Sequence, residues 1–209
     1  MKKIITILML QAVVLTLSAQ DDDVKTLFSK NSEIRGFGAF DMKLTDFNDE
    51  KALFVGGHGG VILNKHFIVG GGGYGLTTKN DFEIADETGA TQELNLYGGY
   101  GGIMLGYIIA PKEVIHVSIP VLIGAGGLEV TDDSHPVVDD QRATIERSAF
   151  FVVEPGLEVE MNVARFLRIA LVGGYRFIQG VDLDLDVNDI SNEDLSNWTA
   201  GISFKVGKF

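Results

Sequence analysis

The sequence predicts an all-β fold, an eight-stranded antiparallel up-and-down transmembrane barrel, and three observations predict it. Eight amphipathic stretches follow one another between residue 33 and Phe209. Their connections alternate between short and long. No stretch in this region is an unbroken apolar run of the ~20 residues a membrane helix needs, because glycine clusters and charges interrupt every few positions. An even strand number with tight turns at one end and long loops at the other is the layout of a barrel spanning an outer membrane.

The short links fall near Asn64-Lys65, Ala110-Pro111-Lys112 and Asn162-Val163-Ala164. The long ones are predicted over residues 45–51, 78–94, 131–147 and 181–197. Ahead of the strands, Met1-Lys2-Lys3 is followed by an apolar run from Ile4 to Leu17 and by Leu17-Ser18-Ala19. That order of basic, apolar and small residues is a secretory signal. The expected organisation is therefore a signal peptide over 1–19, a periplasmic segment over 20–32 and the barrel domain over 33–209. Cysteine is absent. A small exported domain without disulfides needs another source of stability, and a closed hydrogen-bonded wall supplies one.

The formal charge is −12, and −14 once Lys2 and Lys3 leave with the signal. The four long links carry −2, −4, −3 and −6, a total of −15, so the rest of the mature chain is near +1. An acidic crown on a balanced wall suits a membrane protein. It also opposes binding to nucleic acid, whose phosphates would be repelled.

Period-two alternation sets the faces of each strand. The first strand opposes Ile34, Phe40, Met42 and Leu44 to Glu33, Arg35, Asp41 and Lys43. Over residues 148–161, Ala149, Phe151, Val153, Leu157, Val159 and Met161 oppose Glu154, Glu158 and Glu160. Leu167, Ile169, Leu171, Tyr175 and Phe177 oppose Arg168 and Arg176, and Trp198, Ala200, Ile202, Phe204 and Val206 oppose Ser203 and Lys205. Alternation alone leaves two arrangements open: charges within and lipid without, or the reverse in water. The export signal, the missing cysteine and the loop asymmetry favour the first. Glycine clusters at 56–60, 70–73, 98–102 and 124–127 read as bends in a tightly curved wall, and the parity of residues 67–77 stays open. Tyr97, Tyr107, Tyr175 and Trp198 are placed for the interfacial girdles.

In these features the chain resembles the small eight-stranded outer-membrane barrels of the OmpA/OmpX type, over about residues 33–209. The resemblance implies a final strand of alternating apolar residues closing on a terminal Phe. Here the apolar set Ala200, Ile202, Phe204 and Val206 has the parity opposite to Phe209, and only a bulge at Gly207-Lys208 would bring the ring onto the apolar face.

A barrel of eight strands is filled by its own side chains. The charges turned inward then need one another, because an unpaired buried ion is very costly. The expected interior network is Arg35, Asp41, Lys43, Glu154, Glu158, Glu160, Arg168 and Arg176, with Glu158 or Glu160 opposite Arg168. Of the histidines, His58 is mid-strand, His66 and His116 fall at the short-turn end and His135 lies in the third long link. His116 and Ser118 share one face but stand at the wrong end for a rim active site, and no catalytic residue is expected. Asp182, Asp184, Asp186 and Glu193 have part of the spacing of a calcium loop, without its turn glycine or flanking helices, on a segment read as strand seven continuing above the membrane. They are weak metal candidates, and no cofactor is expected. The function expected is a monomeric, non-enzymatic envelope component in contact with outer-membrane lipid, with divalent cations at its acidic loops. The alternatives are a secreted barrel binding an apolar ligand, a lipid A-modifying enzyme, and a small channel or secretion accessory.

Overall fold

The structure is a computed structural model, and it describes residues 33–47, 50–78, 80–85, 91–132, 143–182 and 191–209. Among the described residues are nine antiparallel strands and one short helix: β1 (Ile34–Phe47), β2 (Glu50–Leu63), β3 (Phe67–Leu76), β4 (Asn80–Ala85), β5 (Thr91–Ile109), β6 (Ile115–Asp132), β7 (Ala143–Ala164), β8 (Leu167–Gln179), α1 (Asn192–Leu195) and β9 (Asn197–Gly207). Consecutive strands pair, except that β3 and β4 both pair with β5, and β9 pairs with β1. The pairing Gly75↔Gly99 gives way to Asn80↔Leu96, so β3 and β4 are one wall strand with two extra residues between its halves. The barrel is therefore closed and eight-stranded, as the sequence predicts.

Closure fixes the shape. A level circuit runs from Ile34 to Leu63, Phe67, Tyr107 and Ile119, crosses to Leu157, and continues through Gly173 and Ala200 to Leu44. It returns ten residues up β1 (34 to 44). Ten residues of rise over eight inter-strand spacings tilt the strands by about 40°, which leaves a wall of about 8 Å radius, room for side chains but not for a pore.

Two predicted long links are mostly strand. β1 and β2 stay paired up to Phe47↔Glu50, leaving only residues 48–49 between them, where a loop over 45–51 is expected from the polar run. In the 78–94 link, β4 and the start of β5 pair from Asn80↔Leu96 to Ala85↔Thr91. Asp, Asn and Glu lower strand propensity but do not forbid a strand whose backbone bonds a neighbour, and here pairing wins. At the short-turn end, Asn64 and Lys65 both take positive φ (50° and 68°), and His66 N–H donates to the Leu63 carbonyl at 3.1 Å. That is a type I′ hairpin turn, and it thrusts Lys65 out at the tip.

Several glycines that read as bends instead make room inside. A Cβ on Gly126 would strike the Phe150 ring, and one on Gly56 would strike first the Gly73 carbonyl of the neighbouring strand and then the Tyr74 ring. Parity through β3 is settled by its unbroken register: Ile68 and Tyr74 are buried inside while Phe67 and Val69 are exposed outside.

Candidate functional site

The interior has two ionic layers beneath an apolar plug. In the layer nearer the short turns, Lys205 Nζ contacts Glu158 and lies 2.9 Å from Glu160 Oε1. The Ser118 hydroxyl lies 2.6 Å from both carboxylates and its single proton serves one of them. Glu160 Oε2 meets His116 Nε2 at 3.2 Å and accepts from Arg168 Nη1 at 3.2 Å. Arg168 Nε donates to Asn162 Oδ1 at 2.8 Å, and its guanidinium sits 4.0 Å from the Phe209 ring centroid.

In the second layer, Lys43 Nζ pairs with Glu154 Oε1 at 2.9 Å and stacks 3.6 Å from the centre of the Tyr74 ring. Glu154 also accepts from the Tyr100 hydroxyl at 2.7 Å and from Thr199 Oγ1 at 3.2 Å. Asp41 Oδ2 holds His58 Nδ1 at 2.6 Å and accepts from the Tyr74 hydroxyl at 3.0 Å. Among the described residues these layers and Arg176 balance four buried acids (Asp41, Glu154, Glu158, Glu160) against four bases (Lys43, Arg168, Arg176, Lys205). Neutrality of this kind is what a low-dielectric interior requires.

Above the second layer the lumen becomes apolar. Phe47, Phe54, Leu96, Leu128, Val130, Phe150, Val152 and Ile178 are buried there, and Leu195 of α1 is inserted among them with no exposure. Arg176 fastens the helix. Its Nε and Nη2 donate to the Leu195 carbonyl at 3.1 and 3.0 Å, and the guanidinium lies 4.8 Å from the Phe54 ring centroid and 5.2 Å from that of Phe47. The Asp194 carboxylate accepts from both the N–H and the hydroxyl of Ser191, closing the helix start. The ionic layers thus occupy the short-turn half of the lumen, and Arg176 stands within the apolar half.

The change follows from the solvent outside. Going down β7, the outward series reads Arg147, Ala149, Phe151, Leu157, Val159 and Met161, while the inward series reads Phe150, Val152, Glu154, Glu158 and Glu160. Near its start the outer face is polar, with Arg147 bonding Glu129 at 2.9 Å, and the inner face is apolar, as in a protein in water. Lower down the outer face turns apolar from Ala149 and Phe151 onward, and the inner face turns ionic from Glu154 onward, so both faces are apolar in between. Leu171 and Ile103 are each 64% exposed outside, whereas Arg176 and Glu160 are 0% and 1% exposed within. A wall that turns bare aliphatic side chains outward all round, with its strands paired into a closed ring, is at home only in hydrocarbon. This is an outer-membrane barrel. Tyr175 and Trp198 pack edge to face, 5.1 Å apart, at the upper margin of the apolar band.

Among solved structures, the chain is similar to Neisserial surface protein A, at 12% identity and a TM-score of 0.49, covering 86% of this chain and 100% of that one. It is similar to Ail, the attachment invasion locus protein of Yersinia pestis, at 10% identity, a TM-score of 0.41, and 82% and 97% coverage. The outer membrane protein OprG from Pseudomonas aeruginosa is matched at 10% identity, a TM-score of 0.39, and 83% and 95% coverage. No protein-family model and no curated protein sequence matches the chain.

Of the residues the sequence singles out, Asp41, Lys43, Glu154, Glu158, Glu160, Arg168 and Arg176 are buried in the lumen. Arg35 is not among them: it lies half-buried at the short-turn mouth and binds Glu33 through its Nε at 2.9 Å. Arg168 stands opposite Asn162 in register and reaches Glu160 rather than Glu158. Lys205, Ser118, His116, His58 and Tyr74 complete the layers, and sequence alone does not assign them there. A usable signal exists for the plug: Phe150-Phe151-Val152-Val153 is apolar on both parities, which in a barrel wall means lipid on one side and an apolar filling on the other. No bulge interrupts the last strand. Gly207 pairs with Phe37, Lys208 N–H donates to the Gly36 carbonyl, and the Phe209 ring turns inward against Phe37 and Arg168.

Strand seven of the wall, β8, stops at Gln179 instead of continuing through the aspartates. Asp182 is exposed beyond it, Glu193 is exposed in α1, and Asp184 and Asp186 lie outside the described residues, as do His135, the 1–19 segment and the 20–32 segment. Among the described residues no group of three or more His, Cys, Asp or Glu side chains is arranged to hold a metal.

Proposed function

We propose that the protein is a non-enzymatic, non-conducting component of the outer membrane that presents its acidic, strand-extended end for surface contact. The sealed lumen carries this reading. The void between the ionic layers measures about 20 Å³, space for a single water, and the plug of Phe47, Phe54 and Leu195 closes the way above it. A filled barrel of this kind is a strut and a platform. β5, β6 and β7, at 19, 18 and 22 residues, are about twice the ~10 residues needed to cross the bilayer, so the long-loop end is raised on paired strands.

Catalysis finds no support inside. His116 and Ser118 both bond Glu160, neither bonds the other, and both are buried where no substrate reaches. In this reading the barrel acts as a monomer in contact with outer-membrane lipid, and its acidic loops bridge loosely to anionic headgroups through divalent cations. Two measurements test it. The wild-type protein in planar bilayers is expected to be silent, and steady unitary conductance defeats the sealed-lumen reading. Cells carrying a barrel with its long links shortened are expected to lose surface attachment; attachment equal to wild type leaves only the structural role.

A further inference from the structure

The opposite end of the barrel carries a feature that the proposed function does not use. At the short-turn mouth, which in outer-membrane barrels faces the periplasm, a cavity of about 530 Å³ opens between the turns. Each of the three short turns sends one cation to its lining: Lys65 from the β2–β3 turn, Lys112 from β5–β6 and Arg165 from β7–β8. Arg35 of β1 and Arg168 of β8 add two more, and Phe209 completes the lining beneath the Arg168 guanidinium. Among the described residues no Asp or Glu side chain lines the cavity. Glu33, beside it, engages Arg35 and lies 3.2 Å from Lys65 Nζ, and those two cations hold its carboxyl below the usual range. Glu160 takes Arg168 Nη1 from within. Lys112 and Arg165 hold no ion pair among the described residues, and both are exposed.

We propose that this mouth binds a polyanion bearing phosphate groups. Three guanidinium and two ammonium groups lining one cavity from four segments of the chain suit the oxygens of phosphate groups. A volume of about 530 Å³ holds more than one such group. The cations face into a cavity rather than along the wall, so the arrangement differs from a simple interfacial belt. The phosphates come either from anionic phospholipid headgroups of the adjoining leaflet or from a soluble polyphosphate.

The test uses the full-length protein folded in zwitterionic detergent. In one arm inorganic pyrophosphate is titrated by calorimetry; in the other, native mass spectrometry follows retention of phosphatidylglycerol against phosphatidylcholine. The double variant K112Q/R165Q removes two cations that hold no ion pair among the described residues, and its folding is checked by the gel shift on boiling. Binding about tenfold weaker in the double variant is expected. E33Q, which releases Arg35 and Lys65, is expected to bind more tightly. Pyrophosphate binding that follows these variants identifies a soluble ligand, and selective retention of phosphatidylglycerol that follows them identifies the lipid. Absence of both, or binding indifferent to all three substitutions, overturns the proposal. Neither result bears on loop-mediated attachment at the other end.

Discussion

Replacing Lys205 by Met is the sharpest probe of how the lumen is held. The ammonium is 2% exposed as a residue and bridges Glu158 and Glu160. Glu160 has other partners, Arg168 and His116, each at 3.2 Å. Among the described residues Glu158 has only the Ser118 hydroxyl besides Lys205, so K205M strands the Glu158 charge. Breaking a buried pair in this way costs about 3–5 kcal/mol. A unit-charge attraction at an effective dielectric of ~20 and ~4 Å is about 4 kcal/mol, which agrees.

Removing both partners should cost less than removing one. The double variant K205M/E158Q leaves Glu160 paired with Arg168, and it is expected to regain roughly half of the loss seen in K205M, a negative coupling that a double-mutant cycle reads directly. Urea unfolding in phospholipid vesicles provides the assay, followed through Trp198, the single tryptophan, which projects into the lipid interface at 71% exposure. A K205M cost below ~1 kcal/mol, or a double variant less stable than K205M by the full E158Q increment, would refute a desolvated charge network and point to a hydrated lumen.

Three further outcomes are expected. Leu171→Arg on the lipid-facing wall should destabilise by about 2–4 kcal/mol, whereas Arg147→Ala, which breaks an exposed pair with Glu129, should stay within ~1 kcal/mol; the same vesicle titration compares them. Cysteines placed at Leu171 and Ile202 should resist a hydrophilic maleimide in intact envelopes while one at Arg147 reacts, and rapid labelling at both wall positions reverses the assigned orientation. Gly124→Ala, whose new Cβ meets the Gly101 carbonyl and lies 2.6 Å from Gly102 Cα, should cost about 1–3 kcal/mol; Gly98→Ala meets first the movable Leu128 Cδ2 at 2.7 Å and should cost less, by denaturant midpoint.

Period-two alternation is local, and local information sufficed for much of this protein. The strands over residues 148–161 and 167–177 and their polar faces are readable because a side chain's side of the wall depends only on counting. The short turns are readable for the same reason: Asn64-Lys65 can adopt the left-handed pair a tight hairpin needs, and it does. Expectation fails where polar composition reads as loop. Residues 45–47, 50–51, 80–85 and 91–94 are paired strand in spite of their acidic composition, because backbone bonding to a neighbouring strand outweighs low strand propensity.

By itself, then, the sequence determined how many strands cross, which residues share a face and where the chain turns back. Alternation alone could not choose which face meets lipid, since it is symmetric under exchange of inside and outside; the alternation of short and long links pointed to the choice. The sequence could not pair Lys43 with Glu154, 111 residues away, or Lys205 with Glu158 and Glu160. Those partners meet only because β9 joins β1 with a stagger of ten residues, and that stagger belongs to the closed ring rather than to any one strand. Which charge neutralises which is decided by the circumference, and so is the height at which the filling changes from ionic to apolar.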